Sequence, residues 1–439
     1  MHADATHALR VRLGALAATL VLLTACAAAP PPSASPPPTD VPAPPTGSAS
    51  PPATSSAVDL SWLVDELERS HPAPFHAVER ETFVAAIDGL EARLSELTAE
   101  EALVETMRVW AMLSRDRDGH QFAVAQDEHA GDVLPIRLYE FAEGVYITDA
   151  MSPHADLVGG RIVALGGEPM DDVLAAVEPL VPRDGPQTVR AHRPILLLEV
   201  DVLRGLGVAG DGPVAIEVEA PGGERRTVEL RPVTADEHAA FAPQFGRYRL
   251  PLDQRVAYLA SSEAFSATLL DDGTAYLRYR FVEPMGLDDV RAWVEAVQVR
   301  RLVLDLRQNP GGDNGTYGAL RDLVTEWAEA HPGTLTVLTD RVTFSAASNL
   351  ATEIEQRTDA RFIGEAMGGA PNFWDDVRWV DVDALPIPMR VGVSTIAWQF
   401  APADDPRLTI DPDVAIEVTA ADYFAGRDPA LDAALAAGG

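Results

Sequence analysis

The 439-residue chain carries 67 acidic against 34 basic side chains, a formal net charge of −33, which repels polyphosphate at long range and argues against nucleic acid as a partner. Its 47% hydrophobic content is that of an ordinary globular protein, and its length allows two or three domains. There is no lysine, so arginine supplies every positive side chain besides histidine, and a single cysteine excludes a disulfide within the chain.

The first segment, residues 1–25, has Arg10 and Arg12 followed by an apolar run from Leu13 to Leu23. These are the charged and hydrophobic parts of a secretory signal, too short for a membrane span that persists. The run ends Leu23-Thr24-Ala25-Cys26, which resembles the bacterial lipobox and implies lipidation of Cys26. Residues 26–57 are almost entirely Ala, Pro, Ser and Thr, a composition that cannot bury a core and reads as a tether. The expectation is a lipoprotein anchored on the outer face of a bacterial cell membrane, with the membrane a partner through the lipid.

Residues 58–127 read as a helical domain. Leu60, Leu63, Val64 and Leu67 fall on one helical face, and His71-Pro72 ends that helix. Phe83, Ile87, Leu90 and Leu94 mark a second helix. Thr98 with Glu101 forms a capping box that opens a third, carrying Leu103, Met107 and Trp110. The bundle runs into the polar turn Asp118-Gly119-His120.

Residues 128–235 switch to strand patterning. Val145 and Ile147 alternate with polar neighbours, Gly160 to Leu165 leads into a Gly-Gly turn and a helix, and Gly222-Gly223 joins two alternating strands. The order resembles a PDZ-like domain with an insertion around Pro182 to Leu206, a module that binds peptides along a sheet edge. Gly205 to Gly210 matches GxGxxG, but a strand rather than a helix follows, so no dinucleotide site is expected.

Residues 248–439 read as a β/α domain. Ala275 to Tyr279 is a strand, Leu287 to Val297 an amphipathic helix, strands lie between Met389 and Ala397, and the tail from Tyr423 to Leu435 is helical. Within it, Leu302 to Leu306 and Leu335 to Leu338 are apolar strands, each feeding a polar or glycine-rich turn and a helix. Such turns present backbone amides and a nucleophile together. Ser345 opens a helix, where unpaired amides and the helix dipole favour negative charge; taken alone it reads equally as a helix cap. The turn Asn309-Pro310-Gly311-Gly312 offers a second backbone donor. Asp305 and Arg307 beside it read as a structural pair. No histidine spacing of the HExxH kind points to a metal, and no cofactor is expected.

The segments DLRQNPGGDNG, TDRVTFSAASNLA and FIGEAMGGAPN are similar to those of the serine peptidases that include the tail-specific, C-terminal-processing proteases and the tricorn core. DGH at Asp118 to His120 and IDPDVAIEV at Ile410 to Val418 extend the resemblance. It implies an α/β, multidomain architecture: a helical bundle, a PDZ-like β-rich domain and a ClpP/crotonase-like β/α catalytic domain. It also implies hydrolysis of peptides or protein C-terminal tails through an acyl-enzyme, with Ser345 as nucleophile and Ala346 with Gly311 or Gly312 as oxyanion donors.

One branch of that family uses a lysine base, which this composition excludes, and the other a histidine, which His120 matches. The family's acid before the PD motif has its nearest match by spacing in Asp405, with Asp404 beside it. Gln121 stands where the family often has a small hydroxyl residue. Two other readings remain: a binding protein for a peptide or small ligand, with Ser345 and His120 apart, and a PDZ-like interaction scaffold.

Overall fold

The computed structural model describes residues 58–241, 263–270, 272–285, 287–296 and 299–436. The signal segment, Cys26, the tether, Val297 and the start of the 248–439 domain lie outside them. No helix among the described residues is long and apolar enough to cross a membrane.

Three helices, α1 (Trp62–Ser70), α2 (Arg80–Arg93) and α3 (Ala99–Trp110), come first along the chain. α1 ends at His71 in extended conformation, and Thr98 and Glu101 cap α3 reciprocally, the Thr98 amide donating to the Glu101 carboxylate at 2.8 Å. A short strand β1 (Ala123–Ala125) follows the histidine turn.

The next unit is an antiparallel sheet of β2 (Ile136–Phe141), β3 (Gly144–Ala150), β4 (Arg161–Leu165), β5 (Glu168–Pro169), β6 (Val214–Glu219) and β7 (Arg225–Leu230). Its order is β2-β3-β4-β6-β7, with β5 paired to β4. Alternation buries Val214, Ile216 and Val218 on one face, and Gly223, at φ +84°, makes the β6–β7 turn. Helix α4 (Met170–Val177) packs on this core, and the expected insertion is helical, α5 (Pro186–Leu196) and α6 (Val200–Gly205). α6 closes on α3 so tightly that a Cβ on Gly205 would collide with the Glu100 carbonyl. Gly205 to Gly210 thus begins at a helix end and leads into β6. Helix α7 (Ala235–Phe241) completes the unit.

The last unit holds a six-stranded sheet. Its strands are β8 (Phe265–Leu269), β9 (Thr274–Tyr279), β10 (Arg301–Asp305), β11 (Leu335–Thr339), β12 (Arg361–Gly364) and, after further elements, a two-residue strand at Val414–Ala415. The pairs from β9 onward are parallel, and β8 pairs antiparallel with β9. Leu302, Val303 and Leu304 are all buried, because helices cover both faces of a parallel sheet. On one face these are α8 (Leu287–Ala296), α9 (Gly318–Ala330) and α10 (Ala346–Arg357), and on the other the helix Pro429–Ala436 packs against Val303.

Beyond β12 come β13 (Asn372–Asp375), β14 (Arg378–Val382), β15 (Met389–Val393), β16 (Ile396–Gln399), β17 (Val414–Ala415), α11 (Ala420–Phe424) and α12 (Pro429–Ala436). The helical tail is therefore two helices, divided where Gly426 takes φ +67°. β14 and β15 leave the last unit, form a three-stranded sheet in which β15 pairs with β1, and share the core of the N-terminal helices through Val382, Met389, Val391 and Val393. The Trp110 indole N–H donates to the Gly392 carbonyl at 3.0 Å across that junction. The helical domain is thus not a self-contained bundle of residues 58–127; it is closed by strands from the far end of the chain.

Candidate active site

The C-terminal ends of adjacent parallel strands converge on one place, as ligand sites do in open α/β sheets. β10 feeds the Asn309–Gly312 turn, β11 feeds Ser345, and β12 feeds the Gly368–Ala370 loop that continues into β13. Ser345 sits at the N-terminus of α10 with φ 52° and ψ −129°. Ala346, Ala347, Leu350 and Ala351 behind it are fully buried, so packing of the helix fixes this unfavourable backbone. The other non-glycine residues with positive φ among those described are Arg117, Gln308 and Asp376. Arg117 precedes the histidine turn, Gln308 the glycine turn, and Asp376 follows β13. Each costs on the order of 1–3 kcal/mol, and their gathering around one serine marks a site rather than an ordinary cap.

The glycine turn is built against the nucleophile. A Cβ on Gly311 would lie 2.6 Å from the Ser345 Cβ and 3.0 Å from the Ala346 nitrogen. The Asn309 side chain donates to the Tyr279 carbonyl at 2.8 Å and accepts the Gly311 N–H at 2.9 Å. The Gly311 carbonyl accepts from Val282 at 2.8 Å. Gly311 is therefore committed to holding the turn. Among the described residues the amides of Gly312 and Ala346 have no protein acceptor, which makes these two the available donors.

His120 is pinned from every side. Asp118, fully buried, accepts from His71 Nε2 at 3.0 Å and from the Ser394 hydroxyl at 2.6 Å, and also from Gln121. The Trp374 N–H donates to the Arg117 carbonyl at 2.7 Å, so the turn lies along β13. The ring stacks on Phe344 and Phe373, with centroids 4.4 and 5.5 Å away. Its Nε2 stands 3.5 Å from Oδ2 of Asp375, and neither ring nitrogen makes a hydrogen bond among the described residues. Gln121 thus has a defined place, supporting Asp118 rather than the imidazole.

Asp375 is the residue that sequence reasoning missed. It is fully buried, and its Oδ2 accepts the Ser345 hydroxyl at 3.2 Å while facing His120. Asp405 lies elsewhere. Its carboxylate is held by the Arg407 guanidinium, at 2.8 Å at closest, and that bond keeps the carboxyl below its usual range. Arg407 also pairs with Glu355 at 2.6 Å. No contact joins Asp405 or Asp404 to His120 among the described residues. The signal that could have found Asp375 is its position one residue past Trp374 on a strand following the GGAPN loop, adjacent acids Asp375-Asp376 being the only unusual feature there. Asp376 is raised by its own burial and by the neighbouring Asp375 charge.

Asp305 and Arg307 form the structural pair expected. Arg307 is buried between Asp305, at 2.6 Å, and Asp428, at 2.7 Å. His71, His76 and Asp118 bring three potential metal donors within 4.8 Å of one another. His71, however, accepts the Ala73 N–H through Nδ1 at 3.0 Å and so donates through Nε2 to Asp118, leaving no lone pair for a cation.

No protein-family model and no curated protein matches the chain. Solved structures do. A serine-to-alanine mutant of CPAF aligns with TM-score 0.60 at 16% identity, covering 85% of this chain and 95% of that one. Mature CPAF complexed with lactacystin aligns with TM-score 0.58 at 16% identity, over 84% and 94%. Mature CPAF aligns with TM-score 0.56 at 17% identity, over 85% and 94%. Likeness at this identity is likeness of fold, and it extends over most of this chain and nearly all of each of those.

Proposed function

We propose that the protein is a serine peptidase working outside the cytoplasm by an acyl-enzyme mechanism, with Ser345 as nucleophile. The observation that carries this reading is the convergence of Ser345, His120 and Asp375: hydroxyl and imidazole flank one buried carboxylate oxygen, at 3.2 and 3.5 Å. His120 is the base that takes the hydroxyl proton, and Asp375 orients and charge-balances the imidazole. In the free protein the serine rests on Asp375; catalytic hydrogen bonds often tighten only once substrate is bound, and rotation of the carboxylate would exchange this contact for one with His120. Attack on a peptide carbonyl places the developing oxyanion between the Gly312 and Ala346 amides, with the α10 dipole behind it. His120 then returns the proton to the leaving amine, and water repeats the cycle on the acyl-enzyme.

The same resting contact supports a second reading, a peptide-binding lipoprotein in which Asp375 stays between Ser345 and His120. One experiment separates them: labelling of the purified chain with a fluorophosphonate, alongside hydrolysis of an unstructured peptide. The peptidase reading expects both, and expects Ser345→Ala to lose both. A wild-type chain that binds peptide but neither labels nor cleaves belongs to the second reading. The lipid anchor and tether fit a substrate met at the outer membrane surface, and mass measurement of the mature N-terminal peptide tests lipidation of Cys26.

A further inference from the structure

One buried acid beside the site belongs to none of its strand–turn–helix segments. Asp184 comes from the insertion of the PDZ-like unit and is fully buried. Its Oδ1 accepts the Gly119 N–H at 2.7 Å, and its Oδ2 accepts the Ala370 N–H at 3.0 Å. Its carbonyl accepts the Arg117 N–H at 3.0 Å. The fit is close, since a Cβ on Gly119 would lie 2.9 Å from the Asp184 nitrogen. The Asp184 amide reaches the Thr188 hydroxyl at 3.2 Å, which donates to the Gly368 carbonyl at 2.6 Å. One carboxylate therefore ties the turn that carries His120 to the loop that leads into Asp375.

Its chemistry also differs from that of three other buried acids. Asp305, Glu365 and Asp428 each pair with an arginine. Asp184 has no arginine partner among the described residues; it faces two amides and the His120 side. A charge buried without a cation is costly and needs a reason. The charge it can balance is the one that appears on His120 when Ser345 loses its proton.

We propose that Asp184 is a positioning residue for the reaction: it fixes the spacing between the His120 turn and the Asp375 strand, and its negative charge stabilises the His120 imidazolium. The proposal rests on the peptidase reading of Ser345 and His120. The titratable groups around His120 are Asp375 at the end of β13, Asp376 just past it, Asp118 on its own turn, His192 on α5, and Asp184. Burial raises the Asp184 carboxyl to about 6, against the pull of His120 and the two amides, so it is charged at neutral pH. The burial of His192 lowers it to about 4, so it is neutral there and supplies no competing charge.

The test uses the full chain and compares wild type, Asp184→Asn and Thr188→Val. It measures the rate of fluorophosphonate labelling and of peptide hydrolysis from about pH 5 to about pH 9, with thermal melting in parallel. An asparagine turns an amide donor toward one of the two N–H groups and removes the charge. Asp184→Asn is expected to react roughly tenfold or more slowly and to move the acid limb of its profile to lower pH by about half a unit. Thr188→Val loosens the same tie at unchanged charge, and is expected to slow the reaction with the acid limb in place. A folded Asp184→Asn with wild-type rate, or slowed with its acid limb unmoved, overturns the proposal. If Asp184→Asn does not fold, Asp184→Ser takes its place, and failure of both to fold assigns the acid to the fold alone and likewise overturns it. A wild-type chain that does not label is the separate failure of the peptidase reading, and this proposal falls with it.

Discussion

Ser345 donates its hydroxyl to Asp375 at 3.2 Å, across two segments that no turn connects. The serine is delivered by β11 and α10, the aspartate by β13 after the Gly368–Ala370 loop. Asp375→Asn keeps the shape and removes the charge that His120 faces. Labelling and cleavage are expected to fall by about two orders of magnitude or more, with melting temperature little changed. Wild-type kinetics in that variant would remove Asp375 from the mechanism.

Asp405→Asn makes the opposite case. It breaks a pairing with Arg407 that lies away from the serine, so catalysis should stay within about twofold of wild type while stability drops by about 1 kcal/mol or less. Steady-state kinetics and denaturant unfolding on one preparation check both halves. A catalytic collapse would return Asp405 to the role its spacing suggested.

Gly311→Ala should be inactive even where it folds. The added methyl must displace Ser345 and the Ala346 amide, 2.6 and 3.0 Å away, at φ +107°. A loss of roughly a hundredfold or more in labelling rate is expected, together with a lower melting temperature.

Arg307→Met leaves Asp305 and Asp428 buried beside an apolar side chain. Breaking such a pair costs roughly 3–5 kcal/mol. Chemical denaturation should show that loss, and the effect should shrink in acid as the Asp305 carboxyl, held low by Arg307 in the wild type, protonates.

Asp340 gives a signed pH prediction. Burial raises its carboxyl to about 6, above the ordinary 3.8, so between those values the folded chain holds more protons than the unfolded one. Stability contributed by Asp340 is therefore largest in acid and falls as pH rises through about 6. The stability difference between wild type and Asp340→Asn should narrow or reverse by about 1–3 kcal/mol between about pH 4 and about pH 7. Paired urea titrations at the two pH values read it directly.

Much of this was legible from residues alone, for identifiable reasons. Leu302 to Leu306 and Leu335 to Leu338 announced buried parallel strands because an apolar run bounded by turns has few other uses. The Thr98–Glu101 box set a helix start, and the absence of lysine left His120 as the base to consider. Asp375 was not legible, because its value arises from a strand pairing and a loop path that no local pattern encodes. The same holds for β14 and β15: their alternation reveals a strand, but not that its buried face lies against helices placed nearly three hundred residues earlier. For Asp405, spacing along the chain is not nearness in space: Arg407, two residues on, holds its carboxylate.

The indole of Trp110 and the carbonyl of Gly392, 282 residues apart, close one core. During synthesis the three leading helices emerge with an apolar face that α6 covers only in part until almost the whole chain has been made. The segment that covers it runs from just past Asp375 to Ser394, the partner of Asp118 beside His120. Burial of that face and alignment of the imidazole are thus one event in folding, and a nascent or clipped chain would hold its serine without a working base until the last strands arrive.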